Sequence, residues 1–398
     1  MSSAASAVGP VVTSEALIAA DEGASLDPAS ISNTNDGGLI LTGSMNFNGW
    51  AVKTDAKGKV LWRYDLSPET DRSQIQGVRI ESAISMLDGS AFACVNMPRA
   101  LGSKAASALL VHLSSSGQEL GKKLIFPASE GRGDGTYRST NVRCAKWADG
   151  FVYVGQESFV ASERKFTKIG NQIVFPLDKR FYWIVAFDSS GNVKWERQVP
   201  SETASVATIG PLYVLNKKLY FSATDNISTD ILKVEDRGTS YLHKNIAGSL
   251  SFITPFQAGD GMQMVGYQKY DAFVISLNDV LVETNRTTSI IKDFIGQAYR
   301  LNDNSYVIAG SRIHATGETY TTGMVHLDPS FKNPRLMDFP RSKAPAFLDN
   351  GRIAAITPSY IDGAFVVVRK LTQVVEANKP IDAPPMLRGA VLDFVQVN

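Results

Sequence analysis

The chain alternates short apolar runs with turns rich in Asp, Gly and Asn. Aligned on the turn that opens each unit, the starts are Asp36, Asp88, Asp149, Asn216, Asp260, Asn302 and Asp349, spaced by roughly 42 to 67 residues. An apolar run precedes each start, as in Ala83-Ile84-Ser85-Met86-Leu87, and a second follows it, as in Ala91-Phe92-Ala93-Cys94-Val95. A third run comes after a connection of variable length, and a fourth after a tight turn. Period-two alternation bounded by turn formers is the signal of strands joined in hairpins. Four antiparallel strands per unit, repeated at a propeller-like interval, predict an all-β, seven-bladed β-propeller of four-stranded antiparallel blades.

The third strands set the register. Val52/Thr54, Val111/Leu113, Val185/Phe187, Leu232/Val234, Ile275/Leu277 and Val325/Leu327 share one pair of positions, and Ala51/Lys53, Leu110/His112, Ile184/Ala186, Ile231/Lys233, Val274/Ser276 and Met324/His326 the other. Successive side chains point to opposite faces, so each pair lines one face of its blade. Both faces are largely apolar, as expected of blades sandwiched between neighbours. Residues 1–398 are read as a single propeller. Its terminal segments, within residues 1–22 and 380–398, are expected to pair through Val11–Ala19 and Ala390–Val397.

The pattern Asp36-Gly37-Gly38, apolar alternation, Gly43, then Trp50-Ala51-Val52-Lys53-Thr54-Asp55, Gly58 and Trp62 recurs at Asp149-Gly150, Gly155, Trp183 to Asp188, Gly191 and Trp195. It resembles repeats in secreted and surface β-propellers of bacteria and archaea. The resemblance implies a propeller serving as a binding platform in the periplasm or outside the cell, as a mature form without its leader; a cytoplasmic setting is the alternative. Sialidase-type Asp boxes bring Asp, Gly and Trp closer together than Asp55, Gly58 and Trp62 stand. Quinone-dependent dehydrogenase repeats carry an extra Thr before the Gly.

Composition narrows the partners. Net charge is +1 without a long run of either sign, which argues against nucleic acid. No stretch approaches the roughly 20 apolar residues of a membrane span. Cys94 and Cys144 fall on neighbouring blades, and two buried free thiols are the favoured reading over a disulfide.

No cofactor or metal motif emerges. His112 and His326 occupy the blade slot that holds Lys53 and Lys233 elsewhere, so they read as structural. His243 and His314 lack a ligand partner at metal-binding spacing. Asp55, Asp188, Glu235, Asn278 and Asp328 recur after the third strand, as turn-forming residues would. No catalytic residue is assigned.

Loop length is uneven, and long connections tend to carry function. The longest insertion, in the third blade, mixes basic and aromatic residues and adjoins the Arg132-Gly133-Asp134 segment. A non-enzymatic scaffold is therefore expected, binding a protein partner through Arg132, Asp134, Tyr137, Arg138, Phe159, Arg164, Lys165, Phe166, Lys168, Phe175, Lys179, Arg180 and Tyr182. The alternative is a propeller that binds or cleaves carbohydrate at its central opening.

Overall fold

Two kinds of turn explain why these segments become blades. In the turn after the third strand of five blades, one side chain accepts two backbone N–H bonds. Asp55 Oδ1 takes those of Lys57 and Lys59 at 2.9 Å each, and Asp188 Oδ1 those of Ser190 and Asn192 at 2.9 and 2.8 Å. Asn278, Asp328 and Ser114 do the same in their blades. Gly58, Gly117 and Gly191 close three of these turns at φ of 78 to 83°, a region open to glycine. The turn-chemistry reading of the recurrent Asp holds.

The opening turns of the first and third blades need glycine for a different reason. A Cβ on Gly38 would stand 2.2 Å from the Thr54 carbonyl oxygen, and one on Gly150 only 1.9 Å from that of Phe187. The second strand begins where the third ends, and only a residue without a side chain fits the approach.

In the computed structural model the chain is a seven-bladed β-propeller of four-stranded antiparallel sheets. The structure describes residues 10–18, 26–46, 48–66, 78–96, 108–125, 136–160, 167–169, 172–174, 179–203, 207–225, 227–235, 238–247, 250–258, 261–268, 271–291, 294–301, 303, 305–313, 320–330, 332–339, 352–358, 364–372 and 388–397. Among these, no helix is long and apolar enough to cross a membrane.

Two units are distinguished: residues 1–46, 51–63 and 250–398, and residues 47–50 and 64–249. The first takes most of blade 1 (Leu26–Asn33, Leu39–Met45, Asn48–Thr54, Val60–Leu66). It also holds blade 5 (Leu250–Ala258, Gly261–Gln268, Asp271–Leu277, Glu283–Ile291) and blade 6 (Phe294–Arg300, Tyr306–Ile313, Tyr320–Leu327, Arg335–Asp338). Blade 7 runs Arg352–Pro358, Ala364–Thr372, Arg388–Gln396, Val11–Ile18. The two ends of the chain thus pair, Val11 opposite Gln396 and Ile18 opposite Ala390.

The second unit holds blade 2 (Arg79–Ser85, Ala91–Asn96, Ala108–Leu113, Glu119–Ile125) and blade 3 (Thr136–Trp147, Gly150–Val160, Lys179–Phe187, Val193–Pro200). In blade 4 the first strand is interrupted: Thr208–Ile209 and Tyr213–Leu215 both pair with Lys218–Thr224, followed by Ser228–Val234 and Tyr241–Ala247. Cores form between adjacent blades. Trp183, Val185 and Phe187 of blade 3 pack with Phe92, Cys94 and Leu110 of blade 2. Tyr182 and Ile184, on the opposite face, pack with Phe221, Leu232 and Val234 of blade 4. That alternation is the one read from the third strands.

Two expectations are corrected. Cys94 and Cys144 form a disulfide, with Cα atoms 6.4 Å apart, inside the range such bonds require. Their strands face each other in the blade 2–blade 3 core, where both sulfurs are brought within bonding reach. The insertion of blade 3 is also less of a loop than expected. Gln156–Val160 and Lys179–Tyr182 continue the strands and pair, Gln156 opposite Tyr182 and Phe159 opposite Lys179, and Thr167–Ile169 pairs with Gln172–Val174.

Candidate functional site

The side chains with the most unusual surroundings lie in the second unit, on blade 4 and the link that reaches it from blade 3. Asp225 makes the turn before the third strand of blade 4, its Oδ1 accepting the N–H groups of Ile227 and Ser228 at 2.7 Å each. Asp230 is then the third residue of the strand. The register sets Asn245 opposite Asp230 and His243 opposite Leu232. Cross-strand partners share a face, so Asp230, His243 and Asn245 join Leu232 on the side turned to blade 3.

Asp230 is fully buried and hydrogen-bonded through both carboxylate oxygens. Oδ2 accepts from the Tyr182 hydroxyl at 2.7 Å and from the Glu202 backbone N–H at 3.0 Å, and Oδ1 accepts from Asn245 Nδ2 at 2.7 Å. Ser201 Oγ lies 3.2 Å from Oδ2 and 3.0 Å from the Tyr182 hydroxyl. Ser201 in turn accepts from Gln156 Nε2 at 3.3 Å, and Gln156 Oε1 accepts the Ala207 N–H at 2.8 Å.

His243 completes the group. Its side chain is 9% exposed; Nε2 lies 3.0 Å from Asp230 Oδ1, and Nδ1 lies 3.6 Å from Glu202 Oε1. Nε2 nevertheless makes no hydrogen bond to any described residue, because Asp230 Oδ1 is close in distance but poorly aligned. Glu202 is 60% exposed and connects the cluster to solvent.

Burial drives the Asp230 carboxyl up, but His243, Asn245 and Tyr182 outweigh it and bring its pKa to about 2. The same burial, with the Asp230 charge beside it, pushes the Tyr182 hydroxyl well above its ordinary range. Asp230 is therefore a buried anion at neutral pH, and Tyr182 a permanent donor to it. A carboxylate, an imidazole and a solvent-facing carboxylate in one group can relay protons. Glu202, Asp230 and His243 also present donor atoms within 4.8 Å of one another, a set that could hold a metal ion.

Sequence reasoning set His243 aside for want of a ligand partner at metal-binding spacing, a reading the cluster corrects, and missed Glu202 and Asp230. The signal was present in the third-strand register. Two residues before Val52, Val111, Val185, Ile275 and Val325 stand Trp50, Leu109, Trp183, Phe273 and Gly323; the same slot before Leu232 is Asp230. One blade carries a charge where the others carry bulky apolar side chains or glycine.

Among the residues expected to bind a partner, Arg132, Asp134, Arg164, Lys165, Phe166 and Phe175 lie outside the described residues. Tyr137, Arg138, Phe159 and Lys179 fall on the extended strands of blade 3, and Lys168 on the small hairpin. Arg180 is half-buried, and its carbonyl accepts the Ser201 N–H at 3.0 Å. Tyr182 is fully buried against Asp230 and Phe221, so it is not a surface contact.

The other histidines keep their structural reading. His112 stacks on Phe92 with ring centroids 4.3 Å apart. His326 lies 2.9 Å from Ser305 Oγ, which donates to Asp303 Oδ1 at 2.5 Å. The serine hydrogen goes to the aspartate, so this Ser/His/Asp group clamps a turn and does not activate a nucleophile. His314 lies outside the described residues.

No protein-family model and no curated protein matches the chain. Solved structures do. The NanB sialidase of Streptococcus pneumoniae superposes with a TM-score of 0.50 at 7% identity, over 92% of this chain and 83% of that one. An oligogalacturonate lyase of Vibrio parahaemolyticus gives 0.50 at 12% identity, over 97% and 98%. A structure described as the Dos1 propeller gives 0.48 at 11%, over 93% and 78%. These likenesses are of fold. The expectation of a non-enzymatic protein-binding scaffold is overturned by the Glu202–Asp230–His243 cluster, on a fold that also carries enzymes.

Proposed function

We propose that the chain is an enzyme that cleaves a uronate-containing saccharide by proton abstraction and elimination, with Glu202 and His243 as the groups that move protons. The observation that carries this reading is a fully buried Asp230 set against His243, with Glu202 alone of the three open to solvent. In most glycosidases, hydrolysis of a glycosidic bond uses two carboxyl groups flanking that bond. Here Asp230 is enclosed and committed to Tyr182, Asn245 and the Glu202 N–H, which leaves one carboxylate to meet a substrate.

One exposed base suits elimination. Glu202 takes the proton from the carbon next to the uronate carboxylate; the C–H electrons form the new double bond, and the glycosidic oxygen leaves with its bonding pair. A proton from solvent or His243 completes the departing hydroxyl. Asp230 is a positioning residue, holding the imidazole while Tyr182, Asn245 and Ser201 hold Asp230. The fold shared with an oligogalacturonate lyase is consistent with a uronate substrate.

The repeat motif and the Cys94–Cys144 bond support a setting among the secreted or surface propellers of bacteria and archaea, since disulfides persist in oxidising compartments.

The test is incubation with oligogalacturonides and other uronate oligosaccharides, reading ultraviolet absorbance of the unsaturated product, with sialosides as a hydrolysis control. Glu202→Gln is expected to lower kcat by roughly 100-fold or more, the usual contribution of a general base, without changing the melting temperature. Absence of unsaturated product from every uronate, or a wild-type rate in Glu202→Gln, refutes the proposal.

A further inference from the structure

We infer that Glu202, Asp230 and His243 form a binding site for one divalent transition-metal ion of the zinc or manganese class. The inference rests on geometry and stands apart from the elimination chemistry, because a Glu202 carboxylate bound to the ion no longer serves as the free base.

A buried imidazole nitrogen without a hydrogen bond is costly and calls for a partner. His243 Nε2 is such an atom, in a ring nine-tenths buried. Its neighbour is a carboxylate oxygen at 3.0 Å, too poorly aligned to accept a hydrogen bond. Close, misaligned donor atoms are what a shared cation produces. Two ligands each bonded at about 2.1 Å to a metal sit about 3.0 Å apart at the right angles of an octahedral site and about 3.4 Å apart in a tetrahedral one.

The remaining contacts fit the same arrangement. Asp230 Oδ2 is held by Tyr182 and the Glu202 N–H, and Asn245 occupies one side of Oδ1. That leaves Oδ1 one free direction, as a single-oxygen ligand oriented by the groups behind it. Glu202 Oε1 lies 3.6 Å from the other ring nitrogen, Nδ1, and belongs to an exposed side chain that must swing toward Nε2 to reach the ion. All three donor atoms already lie within 4.8 Å of one another.

The donor set chooses the metal. Calcium and magnesium take oxygen ligands, whereas one imidazole nitrogen with two carboxylates suits zinc, manganese or iron. Three protein ligands leave positions for water or a substrate oxygen.

The experiment strips the full-length protein with a chelator and titrates it by calorimetry with zinc, manganese and calcium ions separately. One zinc or manganese ion per chain is expected, with calcium at least 100-fold weaker. His243→Ala and Glu202→Gln should each weaken binding at least tenfold. Glu202 is exposed, so its variant keeps the fold and answers the question even if His243→Ala unfolds. Failure of the wild type to bind, or unchanged affinity in Glu202→Gln and in a folded His243→Ala, overturns the site. Metal binding without saccharide cleavage supports the site and removes the proposed activity. Cleavage by protein that binds no metal overturns the site and leaves that activity standing.

Discussion

Arg369 and Asp393 offer the sharpest test of how this fold tolerates charge. They sit on neighbouring strands of blade 7, where Val367 is opposite Asp393 and Arg369 opposite Val391. Both side chains are completely buried. The guanidinium donates through Nε to Oδ2 at 2.5 Å and through Nη2 to Oδ1 at 2.8 Å, and lies 5.3 Å from the centre of the Phe339 ring. Burial pushes the Asp393 carboxyl up while Arg369 pulls it down, with burial the stronger. The pair is thus a costly one held in place by its geometry. Asp393→Asn keeps the volume but leaves the arginine charge enclosed, at a cost of roughly 3–5 kcal/mol. For 398 residues the unfolding entropy is about 0.8 kcal/mol/K, so ~4 kcal/mol lowers the melting temperature by about 5 °C. Arg369→Met with Asp393→Leu removes both charges and should be neutral, or stabilising by up to about 4 kcal/mol. Calorimetric melts and urea titrations of Arg369→Met, Asp393→Leu and the double variant provide the cycle, with Asp393→Asn measured beside them. An Asp393→Asn variant within about 1 kcal/mol of wild type, or a double variant as damaged as the sum of the singles, refutes this account.

Other consequences follow from the same geometry. Reducing Cys94–Cys144, or replacing both with Ala, releases a closed stretch spanning 50 positions and should cost about 4 kcal/mol in urea unfolding; an unchanged midpoint contradicts the bond. Asp36 is held at about 2, below its ordinary 3.8, chiefly by Lys53 at 2.6 Å and by Thr34. A carboxylate with a lowered folded pKa adds stability above its unfolded value, and that stability is lost as pH falls toward 2. Asp36→Asn should flatten this acid-side slope in urea midpoints measured from pH 2 to 6, and an identical slope would discount the pair. Gly150→Ala should lower stability by roughly 1–3 kcal/mol, since its Cβ meets the Phe187 carbonyl; a thermal melt that does not move would show that the strand can yield.

Legibility in the sequence followed the range of the interaction. Asp55 and Gly58, or Asp188 and Gly191, act within a single turn, so their spacing reveals their role. Alternation along Trp183–Phe187 shows which residues face blade 2 and which face blade 4, because the period of a strand is local. The disulfide was misjudged because it joins strands 50 positions apart, and free burial and bonding leave the same trace in composition. The long connection of blade 3 was read as a rim loop because Gln156–Val160 and Lys179–Tyr182 become strand only by pairing with each other.

The cluster was hidden for the same reason: Glu202, Asp230 and His243 come from a link and two strands, and only the strand pairing within blade 4 and the passage of the link beside it assemble them. What the sequence did contain was a local inconsistency. A position filled by Trp50, Leu109, Trp183 and Phe273 in other blades is suited to packing, and burying a carboxylate there opposes folding. Tyr182, Asn245 and the Glu202 backbone offset that penalty around one anion, at a place where an apolar side chain would need none of them. Departures from local consistency that a fold supports with several compensating groups are expected at sites of function. Asp230 marks such a site, and the unbonded nitrogen of His243 beside it indicates what the site is built to receive.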